Sequence, residues 1–126
     1  MIYLDIDTHT VERHQYLYYI HSDIISKFQE QISILYILKQ MCSAQKCIQI
    51  SDNIDSYTHE IIFSIYMYNR INNIINTLDL CNSEIHLLYY KDKLSVNEIS
   101  TKVRKSVSDI SKTLSSISYD IKYNSI

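Results

Sequence analysis

The chain has 126 residues, of which 46% are hydrophobic and 21% charged, and its formal net charge is -2. These values fit one small folded domain, or a helical segment joined to a very small domain, and they exclude a compositionally disordered chain. Glycine is absent, so the sequence has no Gly-rich phosphate loop, no dinucleotide-binding fingerprint and no serine nucleophile elbow. We therefore expect a protein that is not an enzyme and that uses no cofactor.

The two ends of the chain differ in charge. Residues 1–83 contain 5 Lys/Arg and 9 Asp/Glu, whereas residues 84–126 contain 7 Lys/Arg and 5 Asp/Glu, so the net charge changes from -4 to +2. A polyanionic partner is accordingly expected to bind the C-terminal third of the chain.

The cysteine count and the N-terminal residues predict the compartment. Three cysteines exclude a complete disulfide framework. The first seven residues are acidic and lack the basic segment and apolar stretch of a signal peptide, and the chain has no run of 18 apolar residues. We expect a cytoplasmic protein in a reducing compartment that does not enter a membrane.

The first half of the chain is predicted to be mainly helical. Ile2, Leu4 and Ile6 occur at alternate positions, a spacing typical of a short strand or an extended arm. After Asp7 or Thr8, either of which can cap a helix, apolar residues recur at steps of three or four, apart from one gap at His14. They are Val11, Leu17, Ile20, Ile24, Phe28, Ile32, Leu35, Leu38 and Cys42.

A single helix over this stretch would have about 30 residues and a length of roughly 45 Å. It therefore either breaks near His21 or needs a partner along its length, and a second copy of the chain is the simplest partner. Residues 43–57 are rich in serine, aspartate and asparagine, which predicts a loop. A second helix is predicted at about 58–80, with the apolar stripe Ile61, Ile65, Tyr68, Ile71, Ile74, Ile75 and Leu78. We expect these helices to form a hairpin over residues 1–81 that makes the protein a homodimer.

Short, well-capped helices are predicted in the last third of the chain. Ser83 can cap one of them, and Ser95 with Glu98 forms a capping box in which each side chain satisfies a backbone amide of the other. Ser106 and Asp109 repeat this pattern less completely and open a helix whose inner face carries Ile110, Leu114, Ile117 and Ile121.

A longer pattern runs through the same region. It consists of Leu87-Leu88-Tyr89-Tyr90, Leu94-Ser95, Glu98-Ile99-Ser100, Ser106, Asp109-Ile110 and Leu114, without gaps. With these residues, the segment 83–121 resembles region 4 of the sigma-70 class. A helical N-terminal part before such a domain is similar to small phage-type regulators of late transcription.

This resemblance implies a small three-helix, wingless helix-turn-helix domain over residues 82–126 of an all-α protein. It implies transcription regulation as the function, double-stranded DNA as the partner and RNA polymerase as a further candidate partner. In such a domain the second helix enters the major groove, and cations around the turn meet phosphates. The expected DNA-binding residues are Lys102, Arg104, Lys105, Ser108, Ser111 and Lys112.

The turn departs from the family pattern at two positions. Arg104 and Lys105 stand where glycine and an apolar residue are usual. An arginine with positive φ costs roughly 1 kcal/mol or more. Either the turn differs from that of the family or the strain is tolerated. The same helical pattern also occurs in winged-helix repressors, but too few residues follow Ile117 for a wing, so the wingless form is favoured.

Two other interpretations remain open. Cys42 and Cys47, together with Cys81 and His86, are a possible set of four zinc ligands, although buried cysteines more often act as small apolar residues. The 12 tyrosines indicate a possible protein interface. The alternative function is therefore an all-helical protein–protein interaction module, such as a small viral or host-associated binding factor, that does not bind nucleic acid.

Overall fold

The structure is a computed structural model that describes residues 6–123. These residues form helices throughout, joined by short connections, and contain no strand, which confirms the predicted all-α class for this part of the chain. The helices are α1 (Thr8–Tyr18), α2 (His21–Gln40), α3 (Ala44–Ile75), α4 (Leu80–Tyr90), α5 (Val96–Val103) and α6 (Val107–Tyr123). The predicted N-terminal strand or arm lies outside the described residues, except for Ile6, which is buried. No helix within residues 6–123 has the length and apolarity that a membrane crossing requires.

The long N-terminal helical pattern is interrupted at Tyr19 and Ile20. Of the two caps that the sequence allows, Asp7 is the one found, and its carboxylate accepts a hydrogen bond from the amide of Thr10 at 2.6 Å. At the other end the amide of Tyr19 turns back to the carbonyl of Leu17, which closes the helix. A new helix then starts, with Ile24 donating to the carbonyl of Ile20. Of the two alternatives for this stretch, the break near His21 is therefore the one found.

The predicted loop at residues 43–57 was wrong. Helix α3 begins at Ala44 and continues through this stretch to Ile75. The apolar residues Ile50, Ile54 and Tyr57 keep the helical spacing and face inward, whereas Asp52 and its polar neighbours are exposed. Each serine, aspartate or asparagine costs a helix interior only about 0.7 kcal/mol or less relative to alanine, so an apolar stripe at helical spacing outweighs them.

The described residues divide into two compact units. One unit contains residues 20–67, and the other combines residues 6–19 with 68–123. Helix α3 contributes to both, because its last residues, from Tyr68 onward, belong to the second unit. The division differs from the predicted segments 1–81 and 82–126, because α1 packs against α6 and so joins the C-terminal helices.

The unit of residues 20–67 is a pair of helices with little buried surface. The rings of Phe28 on α2 and Tyr57 on α3 contact each other with centroids 5.9 Å apart. Helix α2 has no fully buried side chain, whereas Ile54 and Met67 on α3 are buried. Large apolar side chains are exposed on both helices: Ile34, Tyr36, Ile37, Leu38, Ile48, Ile62, Ile65 and Tyr66.

The second unit is built around α6, which contacts α1, α4 and α5. Its inner face buries Ile110, Leu114, Ile117 and Ile121, the residues that the sequence predicts. The C-terminal end of α6 is capped from α3, where the guanidinium of Arg70 donates to the carbonyls of Ile121 at 2.5 Å and Lys122 at 2.6 Å. The last carbonyls of a helix lack the amides of a following turn, so a cationic donor there is stabilising.

Candidate nucleic-acid interface

Helices α4, α5 and α6 pack on one another around a small apolar cluster. Its fully or nearly fully buried members are Ile85, Leu88, Tyr90, Ile99, Ile110 and Leu114. Each helix contributes at least one of these side chains, so the cluster fixes the position of α6 against the other two. Complete burial of a large apolar side chain contributes about 1.5–3 kcal/mol.

The caps of α4 and α5 set where these helices begin. The predicted cap at Ser83 was wrong, since α4 starts earlier, after Asp79, whose carboxylate accepts from the amide of Asn82 at 2.7 Å. The capping box of α5 is confirmed. The amide of Glu98 donates to the Ser95 hydroxyl at 3.1 Å, and the amide of Ser95 donates to the Glu98 carboxylate at 3.2 Å. A strong local signal therefore places the start of α5.

The connection between α5 and α6 is a tight left-handed turn. Arg104 has φ 59° and ψ 44°, and the amides of Arg104 and Lys105 both donate to the carbonyl of Ser100. The Ser100 hydroxyl also donates to the carbonyl of Lys105. Glycine is the usual residue in this conformation at a helix end. Of the two alternatives for the turn, the structure has the one in which the usual left-handed conformation is kept. Arg104 adopts this conformation despite its steric cost.

The side chains predicted to contact DNA are all exposed and lie on α5, the turn and α6. Lys102 is in the last turn of α5, and Arg104 and Lys105 are in the connection. Helix α6 opens at Ser106, whose hydroxyl accepts from the amide of Asp109 at 3.1 Å, as predicted. The exposed side chains of the first half of α6 include Ser108, Ser111, Lys112 and Ser115. Ser108, Lys112 and Ser115 are spaced i, i+4 and i+7, so they form one outward stripe.

A chain of hydrogen bonds that the sequence analysis missed holds α1 against α4 and α6. The hydroxyl of Tyr19 contacts Nδ1 of His86 at 2.7 Å, and Nε2 of His86 contacts Oε1 of Gln15 at 2.9 Å. The amide nitrogen of Gln15 donates to the hydroxyl of Ser118 at 2.9 Å. His86 and Gln15 are fully buried. Burial lowers the pKa of His86 to about 4. The histidine is therefore neutral, with Tyr19 donating to Nδ1 and Nε2 donating to Gln15.

A groove of about 510 Å³ lies beside these hydrogen bonds and is lined by residues of α1, α4, α5 and α6. Four tyrosines line it, together with the carboxylate of Glu12, which accepts a hydrogen bond from the hydroxyl of Tyr90 at 2.8 Å. The tyrosines are Tyr89, Tyr90, Tyr119 and Tyr123. Lys122 lies at the same groove, with its Nζ 5.2 Å from the centre of the Tyr123 ring. The groove borders α6 at Ser111 and Ser115, so it adjoins the stripe described above.

The structure gives no support to the zinc interpretation. Both ring nitrogens of His86 are engaged by Tyr19 and Gln15. Among the described residues, no group of three or more His, Cys, Asp or Glu side chains is arranged to hold a metal ion.

Comparison with known proteins matches this chain to no protein family, no curated protein and no solved structure. The geometry of the helices and the chemistry of their exposed side chains therefore indicate the function.

The positive φ of Arg104 can be tested by replacing the residue with glycine. Replacing Arg104 with glycine is expected to raise the free energy of unfolding by about 1 kcal/mol, because glycine adopts positive φ without the steric cost that a Cβ adds. Lys93, with φ 57°, is the matched control, and its replacement with glycine should stabilise by a similar amount. Urea unfolding of the three proteins measures both effects. A loss of stability in Arg104→Gly would contradict the left-handed turn.

Proposed function

We propose that the protein is a sequence-specific DNA-binding transcription regulator that uses a wingless helix-turn-helix formed by α5 and α6. One observation carries the proposal: the outward stripe of α6 is exposed directly after a turn that holds Arg104 and Lys105. The inner face of the same helix is fixed by Ile110 and Leu114 in the apolar cluster. Recognition requires this combination of a rigid inner face and a free outer face.

The side chains divide into two roles under this proposal. Lys102, Arg104 and Lys105 contact phosphates and set the position of the protein on the duplex. Ser108, Ser111 and Lys112 reach base edges from the N-terminal half of α6. The hydrogen bonds from α1 to α6 lie further along, at Ser118 and Lys122, and leave this half of the helix accessible. The positive charge of residues 84–126 is consistent with a polyanionic partner.

The unit of residues 20–67 is the proposed dimerisation region. Its two helices expose eight large hydrophobic side chains, and exposed apolar patches are typical of protein interfaces. A second copy of the chain presents the same surface and matches it by two-fold symmetry. RNA polymerase is a further proposed partner, on the resemblance to sigma-70 region 4 alone.

The test is a mobility shift of the purified protein on random and candidate promoter duplexes across a salt series. Each phosphate contact contributes about 0.9 to the slope of log K against log salt, so replacing Arg104 and Lys105 with glutamine should reduce the slope by about 2. Lys112→Ala should cost about 1–3 kcal/mol on the specific duplex and little on random DNA. Sedimentation of the same samples gives the subunit number, and a monomer would contradict the dimer.

The matched control for charge replaces Lys39 and Lys46, both exposed on the unit of residues 20–67, with glutamine. It makes the same change in net charge away from the proposed interface and should leave the slope nearly unchanged. Equal slopes for the two double variants would reject the assigned phosphate contacts. No shift of any duplex at low salt would reject DNA binding itself.

The groove favours one second candidate, a protein–protein interaction module. Tyrosines are common at the centre of protein interfaces, and this groove has four of them around a carboxylate. This candidate predicts a partner segment that carries a cationic side chain toward Glu12. The mobility shift separates the two candidates, since a pure interaction module does not respond to DNA even at low salt.

A further inference from the structure

Two thiols converge at the connection between α2 and α3. Cys42 lies between the helices and Cys47 is the fourth residue of α3, and their sulfur atoms are 2.7 Å apart. Both thiols also approach the carbonyl of Lys39 in the last turn of α2, Cys42 at 3.3 Å and Cys47 at 3.0 Å. The amide of Cys47 donates to the carbonyl of Ser43 at 2.9 Å, which fixes the backbone that carries the second thiol. The backbone and the shared carbonyl therefore hold the two sulfur atoms against each other.

We propose that Cys42 and Cys47 are a modification site, a dithiol that a low-molecular-weight disulfide such as oxidised glutathione converts reversibly into an intramolecular disulfide. Both thiols are free and half-buried, so a small oxidant has access to them. The third cysteine, Cys81, lies in the other unit, on α4. It serves as an internal reference for an ordinary thiol of the same chain.

The chemistry is two thiol–disulfide exchanges. The hydrogen bond with Cys47 raises the pKa of the Cys42 thiol. Either thiol can start the exchange, and the steps are the same with the two cysteines interchanged. The Cys47 thiolate forms a bond with one sulfur of oxidised glutathione and releases the other glutathione as a thiolate, which takes up a proton. Cys42 then loses its proton and attacks the sulfur of Cys47 in the mixed disulfide, releasing the second glutathione. Two protein thiols are oxidised, and one glutathione disulfide is reduced to two thiols.

The product joins the end of α2 covalently to the first turns of α3. Because only four residues separate the two cysteines, the ring is small and the constraint is confined to this connection. Oxidation is therefore expected to order the α2–α3 connection and to leave the unit that contains α4, α5 and α6 unchanged.

The experiment equilibrates the full chain with glutathione buffers of increasing oxidised fraction, blocks free thiols by alkylation and digests with trypsin. Cleavage at Lys39, Lys46 and Arg70 places Cys42 in peptide 40–46 and Cys47 in peptide 47–70, while Cys81 falls in peptide 71–91. The expected result is that 40–46 and 47–70 remain joined until a reductant is added, while Cys81 is alkylated. Two thiols held in contact have a higher effective concentration toward each other than two thiols in an unfolded chain. The ratio of disulfide-linked to unlinked peptides should therefore be about tenfold larger in the folded chain than in urea.

Two variants complete the test. Cys81→Ser should form the 40–46 to 47–70 link like the parent chain. Cys42→Ser removes the second thiol and should stop at a glutathione adduct on Cys47. The proposal is overturned if the joined fraction is the same in urea as in the folded chain. It is also overturned if Cys42 and Cys47 are alkylated as completely as Cys81 in the oxidising buffers, or if the main disulfide contains Cys81.

Discussion

Replacing Ile110 with alanine is expected to lower the free energy of unfolding of the α4–α5–α6 region by about 2–5 kcal/mol. Ile110 is completely buried in the cluster that also contains Ile85 and Ile99. Alanine would remove most of this side chain and leave a cavity, because Ile99 and Ile85 are held on helices with their own caps. Since a small domain has a total stability of only about 5–15 kcal/mol, one such change is a large part of it.

Val107→Ala is the matched control for this prediction. Val107 lies in the first turn of the same helix but is 44% exposed, so its truncation should cost less than about 0.5 kcal/mol. Hydrogen exchange of the α5 and α6 amides measures the local free energy of opening in each variant, and it keeps this region separate from the unit of residues 20–67. Similar exchange rates in Ile110→Ala and Val107→Ala would show that Ile110 does not hold α6 in place.

The two variants also bear on the proposed function. If α6 binds DNA only while its inner face is packed, only molecules with a packed α6 can bind. The apparent affinity of Ile110→Ala for DNA should then fall in proportion to the fraction of molecules in which α6 is still packed. Val107→Ala should bind almost like the parent chain. A variant with an open α6 and unchanged DNA affinity would place the binding surface elsewhere on the molecule.

Local signals in the sequence were sufficient to predict the caps and faces of α5 and α6. The capping box of Ser95 and Glu98 depends on residues three positions apart, and the inner face of α6 follows from a spacing of three and four. The exposure of Ser108, Ser111 and Lys112 follows in the same way from the period of α6, whereas Arg104 and Lys105 are exposed in the connection before it. Their contact with DNA stays a prediction.

Features that depend on contacts between distant parts of the chain were not predicted. Gln15 and Ser118 are 103 residues apart, and nothing in either neighbourhood indicates that they pair. The only signal at His86 was a polar residue among the apolar positions of α4, which is equally compatible with a metal ligand and with a buried hydrogen-bonded side chain. The groove follows from the same long-range packing of α1, because Glu12 reaches Tyr90 only once α1 lies beside α4.

The loop expected at residues 43–57 shows how a local signal misleads. Residues such as Asp52 and Ser56 favour turns when no other force acts on the chain. In α3 they occupy the exposed face, while Ile54, between them in sequence, is 5% exposed. The free energy gained by burying that apolar face is larger than the weak preference of a few polar side chains for turns.

Acidification is expected to destabilise the unit that contains His86, by about 3 kcal/mol from this residue alone between neutral pH and pH 4. Burial lowers the pKa of His86 from 6.5 to about 4 in the folded chain. Below pH 6.5 the unfolded chain therefore binds a proton that the folded chain does not accept, so stability falls as the pH falls through this range. Below pH 4 both states are protonated, and His86 causes no further loss.

His14 contributes in the same direction. Burial, with a smaller effect of the neighbouring Arg13 charge, lowers the pKa of His14 to about 4. Both histidines belong to the unit that contains α6, so the loss should be concentrated there. The measurement is urea unfolding between pH 7.5 and pH 4.5, combined with hydrogen exchange to locate the change.

His86→Gln separates the titration of this residue from its structural role. The variant should be less stable than the parent chain at pH 7.5, because the hydrogen bonds to Tyr19 and Gln15 are disturbed, but its stability should depend less on pH. His59→Gln, which removes an exposed histidine from α3, is the control for the substitution itself. If His86→Gln and the parent chain lose the same free energy between pH 7.5 and pH 4.5, then His86 is not the group that resists protonation. The chain from Tyr19 through His86 to Ser118 would then need a different protonation state from the neutral one assigned above.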